Sequence, residues 1–330
     1  MRCRKHAGQF IAILCMSLSL TGCISQPSLF PSIGPLEESR VAGEGEQKIV
    51  MINIEGMLTS AKPSGFADKL FDRPSLPARV KEELTKAGKD DQVKAILLHI
   101  NSPGGTVTAS DILYHEIQQF KKTHDMPVIA SIVDLGTSGG YYLAAAADHI
   151  AVHPSTITGS IGVIMVTINA EGLLEKIGVE PRAIMSGPKK SMGAPFRSMT
   201  EEEHAIFQGV IDSMYDQFLT VVKTGRPDLD DTEIRRLADG RIYTATQAKD
   251  AGLIDSIGYL EDAIAVAKQQ AGLDDAQVVT YHRAGGYKHN IYSSMMIGGE
   301  EIQKLSDLKP LSLLTLLNGS TPQFLYMWIP

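Results

Sequence analysis

Short apolar runs separated by helical patterns dominate the first two thirds of the chain. Residues 48–54, 93–100 and 127–133 are brief, rich in β-branched side chains and bounded by turn residues, which is typical of buried parallel strands. Between them, residues 77–88 and 106–121 carry apolar side chains at helical spacing. Further strands are predicted at residues 150–152, 163–168 and 181–185. The repeating strand–helix order predicts an α/β layer fold.

From residue 200 onward the pattern becomes mainly helical. Thr200 followed by Glu203 predicts a capping box at a helix start. The apolar stripe of this helix consists of Ile206, Val210, Ile211, Met214, Phe218 and Val222. Shorter helices are predicted at residues 231–238, 246–251 and 259–270, and a strand at 277–281. We expect the apolar tail at residues 324–328 to dock onto the fold or onto another subunit, because exposed aromatic side chains promote association.

The first 22 residues have the pattern of a signal peptide. A basic start precedes an apolar run over residues 10–20, which is too short to span a bilayer comfortably. The run ends in Leu-Thr-Gly-Cys at residues 20–23, which resembles a bacterial lipobox, where cleavage precedes the cysteine and its thiol is lipidated. We therefore expect residues 1–22 to be a lipoprotein signal peptide, Cys23 to carry the lipid, and residues 23–47 to form a flexible tether. A retained membrane anchor and ordinary secretion are the alternatives.

Cysteine usage and charge exclude several classes of protein. Cys3 and Cys15 lie in the predicted signal peptide and Cys23 would be lipidated, so disulfides and cysteine-ligated zinc are not expected. The net charge of −7 becomes more negative once the basic leader is removed, which argues against nucleic-acid binding. No cluster of histidines and carboxylates has metal-ligand spacing, so we expect no metal, and we expect no cofactor.

One serine occupies a position suited to a nucleophile. The sequence Gly-Thr-Ser-Gly-Gly at residues 136–140 follows a predicted strand and opens a predicted helix, which places the Ser138 hydroxyl at a sharp turn beside the positive end of a helix dipole. The alternative is that Ser138 is simply a helix N-cap inside a tight turn.

A serine nucleophile needs a base, and the residues leave two enzyme hypotheses open. Gly-x-Ser-x-Gly also fits the nucleophile elbow of α/β-hydrolases, where a histidine follows further along the chain. His282 and His289 are the candidates for that role, because His149 and His153 follow the serine too soon. The other hypothesis is a lysine base. An esterase is therefore considered beside a serine–lysine enzyme.

A glycine loop follows the strand predicted at residues 93–100. Asn-Ser-Pro-Gly-Gly at residues 101–105 precedes the next helix, and its glycines can turn backbone N–H groups toward a pocket. Backbone N–H groups arranged in this way form oxyanion holes. A simple tight turn is the alternative.

Four motifs together resemble the S49 signal peptide peptidase (protease IV) family. They are the glycine loop at 101–105, Thr-Ser-Gly-Gly-Tyr-Tyr at 137–142, Thr-Gly-Ser-Ile-Gly-Val at 158–163, and a lysine-bearing segment at 186–200. Their order and spacing agree with the family over residues 48–270. The resemblance implies a single-unit serine endopeptidase with an α/β fold of the ClpP/crotonase type, built of stacked βα units with a helical C-terminal region. Residues 271–330 would then be a C-terminal extension, with a role in oligomer contacts as one option.

Carried over residue by residue, the resemblance makes Ser138 the nucleophile, Lys190 the general base, and Ser160 the hydroxyl that positions the lysine. The oxyanion donors would be the backbone N–H groups of Gly104, Gly105 and Gly139. Because a lysine must be neutral to accept the serine proton, we expect Lys190 to lie in an apolar pocket. The neighbouring Lys189 is the residue with which it could be confused.

The resemblance also implies partners and a location. Substrates would be apolar, signal-peptide-like segments with small side chains near the cleavage point, and the chains would form a homo-oligomeric ring in which neighbouring protomers supply serine and lysine. A lipid on Cys23 would anchor the protein to a membrane on the periplasmic side of the cell envelope, with the inner and outer membranes both open. Thr137, Ser191 and Ala194 depart from the commoner family residues without touching the dyad. A non-catalytic scaffold and an acyl-CoA enzyme of the same fold are further alternatives.

Overall fold

The computed structural model describes residues 34–62, 74–283 and 324–328. The strands are β1 (Glu37–Ala42), β2 (Lys48–Glu55), β3 (Val93–Ser102), β4 (Gly104–Thr106), β5 (Val128–Thr137), β6 (His149–Val152), β7 (Ile157–Gly159), β8 (Ile164–Met165), β9 (Ile242–Thr244), β10 (Ser256–Ile257), β11 (Gln277–His282) and β12 (Phe324–Met327). The helices are α1 (Leu76–Ala87), α2 (Val107–His124), α3 (Gly139–Ala144), α4 (Glu171–Lys176), α5 (Glu201–Gly225), α6 (Asp231–Leu237), α7 (Ala245–Asp250) and α8 (Leu260–Gln270).

A mostly parallel sheet forms the centre of the fold. Its strands follow the order β1-β11-β2-β3-β5-β6-β10 across the described part of the chain, with β7 paired to β5 and β9 paired to β7. The pairs β2–β3, β3–β5, β5–β6 and β2–β11 are all parallel. The carboxyl ends of β3 and β5 therefore lie side by side, as do the loops that follow them. This confirms the predicted α/β class.

Both faces of the sheet are covered, which explains the continuous apolar runs of its central strands. On one face, Ile52 and Ile96 belong to a large core that helices α1, α2, α3 and α5 share. On the other face, Ile49 and Leu97 pack in a smaller core against α8. All four of these side chains are fully buried.

The helix boundaries agree closely with the predictions. Thr106 is the N-cap of α2, and its hydroxyl oxygen accepts a hydrogen bond from the Ala109 N–H at 3.3 Å. The capping box of Thr200 and Glu203 is present at the start of α5. In α5 the predicted stripe is buried only near its C-terminal end, at Phe218 and Val222, whereas Ile206 is exposed. The helical C-terminal region is thus confirmed.

Three segments differ from the sequence-based expectations. Residues 181–185, predicted as a strand, form none and are exposed, because none of the strands that the structure describes pairs with them. The strand predicted at residues 163–168 is reduced to β8. The predicted tether at 23–47 contains β1, which pairs antiparallel with β11 although only Val41 in it is buried.

The C-terminal sequence contributes to the fold at two places. Strand β11, from the predicted extension at 271–330, inserts between β1 and β2 and so completes the main sheet. Strand β12 forms a second sheet in the order β4-β12-β8. Residues 324–328 are therefore docked on the fold, which was one of the two predicted outcomes.

Candidate active site

Ser138 lies at a strained turn between β5 and α3. Its backbone has φ 52° and ψ −115°, a conformation that non-glycine residues seldom adopt. The residue is 1 % exposed, and its N–H donates to the Gly159 carbonyl oxygen at 2.7 Å. Strain of this kind is characteristic of nucleophile elbows, where the turn presents the hydroxyl at the end of a strand.

The surrounding elements hold this turn in place. Strand β7 pairs with the end of β5, and the Thr158 hydroxyl donates to the Gly136 carbonyl oxygen at 2.7 Å. On the other side of Ser138, Tyr141 and Tyr142 anchor the short helix α3 in the core. The Tyr141 hydroxyl donates to the Leu253 carbonyl oxygen at 2.8 Å. The backbone of Ser138 is therefore held in place by packed elements on both sides.

The glycine loop at the end of β3 lies against this turn. Gly104 has φ +99°, and a β-carbon on it would lie 2.8 Å from the Gly139 nitrogen. The Gly104 N–H donates to the Ser102 hydroxyl at 3.1 Å, so it already has a local partner. The Leu58 N–H donates to the Gly104 carbonyl oxygen and the Thr106 N–H donates to the Leu58 carbonyl oxygen, each at 2.8 Å.

These contacts fix the direction of the Gly105 N–H. Because backbone groups alternate along a strand, the N–H of Gly105 points away from Leu58 and toward β12. The three predicted oxyanion glycines thus converge beside Ser138. Their role as donors is still a prediction, and Gly105 with Gly139 is the pair whose geometry suits it best.

Ser160 lies close to Ser138. The Lys190 side chain, in contrast, makes no contact with Ser138 within one chain. Ser160 follows Gly159, has φ 50°, is 8 % exposed, and donates its N–H to the Arg241 carbonyl oxygen at 2.7 Å. Lys190 is exposed, and among the described residues its ammonium group has no hydrogen bond or ion pair. The apolar pocket expected around Lys190 is therefore not formed by the isolated chain.

Comparison with known proteins identifies the family. Residues 120–274 match the profile of peptidase family S49, and residues 75–157 match that of Clp protease. The Enterococcus faecium protein named signal peptide peptidase SppA is 38% identical over 246 residues, which cover 74% of this chain and 70% of that protein. The chain belongs to peptidase family S49. It is a serine protease with the ClpP-like α/β fold that the four motifs implied.

Two further relatives are also described as proteases. A protein of Synechocystis sp. described as a protease is 42% identical over 193 residues, covering 58% of this chain and 69% of its own length. Protease 4 of Haemophilus influenzae is 34% identical over 222 residues, covering 67% of this chain but only 34% of that much longer protein.

Arg197 lies in the motif segment at 186–200, and nothing in the sequence pattern indicated its structural role. Its guanidinium donates to both carboxylate oxygens of Glu203, at 2.8 and 2.6 Å. It also donates to the hydroxyl and carbonyl oxygens of Ser191, at 3.1 and 3.3 Å. The hydrogen bonds from the Arg197 guanidinium, followed by the one from the Thr200 N–H, lower the pKa of Glu203 to about 2. Arg197 thus ties the residue after Lys190 to the first turn of α5.

The described histidines are engaged elsewhere or lie apart from Ser138. His282 hydrogen-bonds Ser39 at 2.7 Å, and its strand β11 is three positions from β5, or roughly 14 Å at the usual strand spacing. His149 bonds Ser256 at 2.8 Å, and His204 is exposed. His99 is buried in β3, where desolvation lowers its pKa to about 4. No described histidine is therefore positioned to act as the base for Ser138 that the esterase hypothesis requires. His289, the other candidate, lies outside the described residues.

The predicted membrane anchor also falls outside the described residues, because the signal peptide and Cys23 precede residue 34. Within the described ranges, no helix has the length and apolarity needed to cross a bilayer.

Proposed function

We propose that this S49 protease is an endopeptidase in which Ser138 attacks the peptide carbonyl and Lys190 acts as general base. The observation that carries this proposal is the Ser138 turn, because its strained backbone lies beside the N–H groups of Gly105 and Gly139. A negative oxygen formed at the attacked carbonyl would accept hydrogen bonds from those two groups. Apolar peptides are the substrate class that the family resemblance supports.

The reaction proceeds in two stages. In the first, the Ser138 oxygen bonds to the carbonyl carbon, its proton passes to a neutral Lys190, and the lysine returns the proton to the departing amine. In the second, a water molecule activated by the same lysine hydrolyses the ester. A free lysine has a pKa of about 10.4, so an apolar environment must favour the neutral form. Ser160 would hold the lysine nitrogen through its hydroxyl.

We further propose that a second copy of the chain completes the site. Lys190 lies in an exposed arm, residues 164–196, that carries many of the exposed large apolar side chains of the described structure. They are Ile164, Ile168, Leu173, Ile177, Val179, Ile184, Met185 and Phe196. Helix α4, within the arm, has no buried residue at all. An apolar surface of this extent supports subunit contact, and contact would provide the dry environment that Lys190 needs.

The location is proposed from the leader sequence alone. A lipid on Cys23 would attach the protein to a membrane at the periplasmic side of the cell envelope. Mass spectrometry of the protein purified from membranes should show a diacylated N-terminal cysteine. A protein that begins before residue 23 and carries no lipid would contradict the anchor.

The proposed dyad can be tested on the full chain purified in detergent. Cleavage of an apolar signal-peptide fragment is measured for wild type, Ser138→Ala, Lys190→Ala and the control Lys189→Ala, whose native side chain pairs with Glu202 on the surface. We expect Ser138→Ala and Lys190→Ala each to lose at least about 10³-fold in kcat, and the control to retain activity. Near-normal cleavage by Lys190→Ala would show that the base is another residue.

A mixing experiment tests whether two protomers share the dyad. Inactive Ser138→Ala and Lys190→Ala chains are combined under conditions that exchange subunits. If each site takes its serine and lysine from different chains, some sites in the mixed assembly contain both residues and activity returns. A mixture that forms oligomers and stays inactive would contradict the shared site.

A further inference from the structure

A buried serine joins the glycine loop to the rest of the sheet. Ser102 is the last residue of β3 and is fully buried. Its hydroxyl group donates to the Gly56 carbonyl oxygen at 2.6 Å and accepts the Gly104 N–H at 3.1 Å. Gly56 directly follows β2, and its N–H donates to the Asn101 carbonyl oxygen at 2.9 Å. One side chain therefore holds the ends of β2 and β3 against the glycine loop.

Two successive peptide groups of the loop are oriented by hydrogen bonds on its inner side. The Gly104 N–H points to the Ser102 hydroxyl, and the Gly104 carbonyl oxygen accepts the Leu58 N–H at 2.8 Å. Because the N–H and C=O of a trans peptide group point in opposite directions, the Pro103 carbonyl and the Gly105 N–H both face away from these partners. Strand β12 lies on that outer side. The Gly105 N–H is one of the two oxyanion donors proposed above.

The backbone of the loop does not fix this orientation by itself. Gly104 has φ +99°, and glycine adopts positive and negative φ about equally well, so reversal of the peptide group between Pro103 and Gly104 meets little steric resistance there. On the outer side the Pro103 carbonyl oxygen accepts the Trp328 N–H at 2.9 Å, from a distant segment. Ser102 is adjacent in the chain and holds the group from the inner side whatever lies along the outer edge. Loss of its hydroxyl would leave a buried N–H without a hydrogen bond, which favours a rearranged loop.

Ser102 also contacts the segment that carries the nucleophile. In the pairing of β3 with β5 it is opposite Gly136, which lies shortly before Ser138. A β-carbon on Gly140, in the first turn of α3, would lie 2.8 Å from the Ser102 carbonyl oxygen and 3.5 Å from its β-carbon. Ser102 thus lies between the loop that carries the proposed oxyanion donor and the helix that begins after Ser138. A change at its hydroxyl therefore alters the position of the loop relative to the nucleophile.

We propose that Ser102 is a positioning residue of the active site, and that its hydroxyl holds the glycine loop in the conformation that directs the Gly105 N–H at the attacked carbonyl. Ser102 is fully buried and acts through Gly104, not on the substrate itself. Its effect on the rate rests on the peptidase function proposed above, whereas the orientation of the loop does not. In the motif at residues 101–105 the glycines alone had an expected role, so the serine adds a residue to the site.

Threonine and valine at position 102 separate the hydroxyl group from the shape of the side chain. Ser102→Thr keeps a hydroxyl, and Ser102→Val has a methyl group of similar size in its place. The full chain is purified in detergent, and kcat and KM are measured with an apolar peptide. We expect kcat of Ser102→Val to be about 100-fold below that of Ser102→Thr, the loss usual for a misplaced oxyanion donor, with the two KM values within about threefold. Equal kcat values, or a difference confined to KM, would overturn the positioning role.

A second serine separates loss of stability from loss of position. Ser256→Ala removes the hydrogen bond between Ser256 and His149, near the amino end of β6. Ser138 follows the carboxyl end of β5, at the opposite end of the parallel strands. Ser256→Ala should therefore lower the melting temperature and leave kcat unchanged. If the added methyl group unfolds both variants at position 102, Ser102→Ala takes their place, and a kcat equal to that of Ser256→Ala would overturn the proposal.

Hydrogen exchange tests the loop without catalysis. Pro103 has no N–H, so overlapping peptic peptides that cover residues 101–106 isolate the signal of the Gly104 amide. In a Ser138→Ala background this amide should exchange at least about tenfold faster with valine than with threonine at position 102, because a protecting hydrogen bond is lost. Equal exchange would overturn the role of Ser102 in holding the loop. Faster exchange, together with no cleavage even by wild type, would instead defeat the peptidase function and leave the loop orientation in place.

Discussion

Replacement of Gly104 by alanine should disable the site while leaving the fold intact. The added methyl carbon would lie 2.0 Å from the Tyr326 carbonyl oxygen and 2.8 Å from the Gly139 nitrogen. Carbon–oxygen contacts normally begin near about 3.3 Å, so a carbonyl in this position must retreat by more than about 1 Å. Both contacted atoms belong to the backbone and cannot rotate aside as a side chain would.

The expected loss follows from this displacement. Removing one oxyanion donor lowers kcat by about 10²–10³, and a misplacement of about 1 Å has a similar effect. The alanine also has to adopt φ +99°, which costs about 1–2 kcal/mol of stability. We therefore expect Gly104→Ala to be folded, less stable than wild type by the φ cost and by the displacement of β12, and to cleave an apolar peptide at least about 100-fold more slowly.

Gly272→Ala is the matched control for backbone strain. Gly272 has φ +67°, lies just after α8, and a β-carbon there would meet nothing within 4 Å. Both variants should thus carry the cost of a positive φ, Gly104→Ala should lose more thermal stability because its methyl also meets backbone atoms, and only Gly104→Ala should lose kcat at saturating peptide. If Gly104→Ala keeps activity within threefold of Gly272→Ala, the assignment of the oxyanion position is refuted.

The other predictions concern stability and the arm that carries Lys190. Ile96→Ala, at a fully buried core position, should lower the free energy of unfolding by about 2–5 kcal/mol in urea titrations. Thr106→Ala should cost about 1 kcal/mol through loss of the α2 N-cap, and an unchanged unfolding midpoint would contradict that cap. Arg197→Gln should lower kcat more than it raises KM, because the hydrogen bonds that link Ser191, and with it the adjacent Lys190, to Glu203 of α5 are lost. An unaltered kcat would show that these hydrogen bonds do not position the base. The pKa of Glu203 is about 2 in the folded chain, below its usual value, so its contribution to stability is present above about pH 4.5 and is lost as the pH falls toward 2. The difference in melting temperature between wild type and Glu203→Gln should accordingly shrink over that interval, and a constant difference would refute the Arg197 pairing as its cause.

Local patterns in the sequence were sufficient for most of the parallel sheet and its helices. Strands such as β3 and helices such as α2 are recognisable because apolar periodicity and capping residues act within a few positions along the chain. The Ser138 turn and the glycine loop at 101–105 were visible for the same reason, since a glycine-rich turn after a strand is a local signal. Residues 181–185 show where local patterns fail. Their apolar side chains suggest a strand, but a segment forms a strand only when the backbone of another strand can hydrogen-bond with it.

Pairing between distant segments was decided by the tertiary structure. Strand β1 is mostly polar, and it is a strand because β11 presents a free edge to its backbone. The apolar character of residues 324–328 predicted docking, but it did not predict the position between β4 and β8. Backbone hydrogen bonds form with any residue type, and the register of a strand depends on the strand with which it pairs. Likewise, the sequence identified Lys190 by its motif, whereas only the fold shows that it lies on an exposed apolar arm. The sequence by itself thus determined the family and the candidate catalytic residues, and the tertiary structure decided what lies beside them, because burial and strand pairing are properties of segments brought together from far apart in the chain.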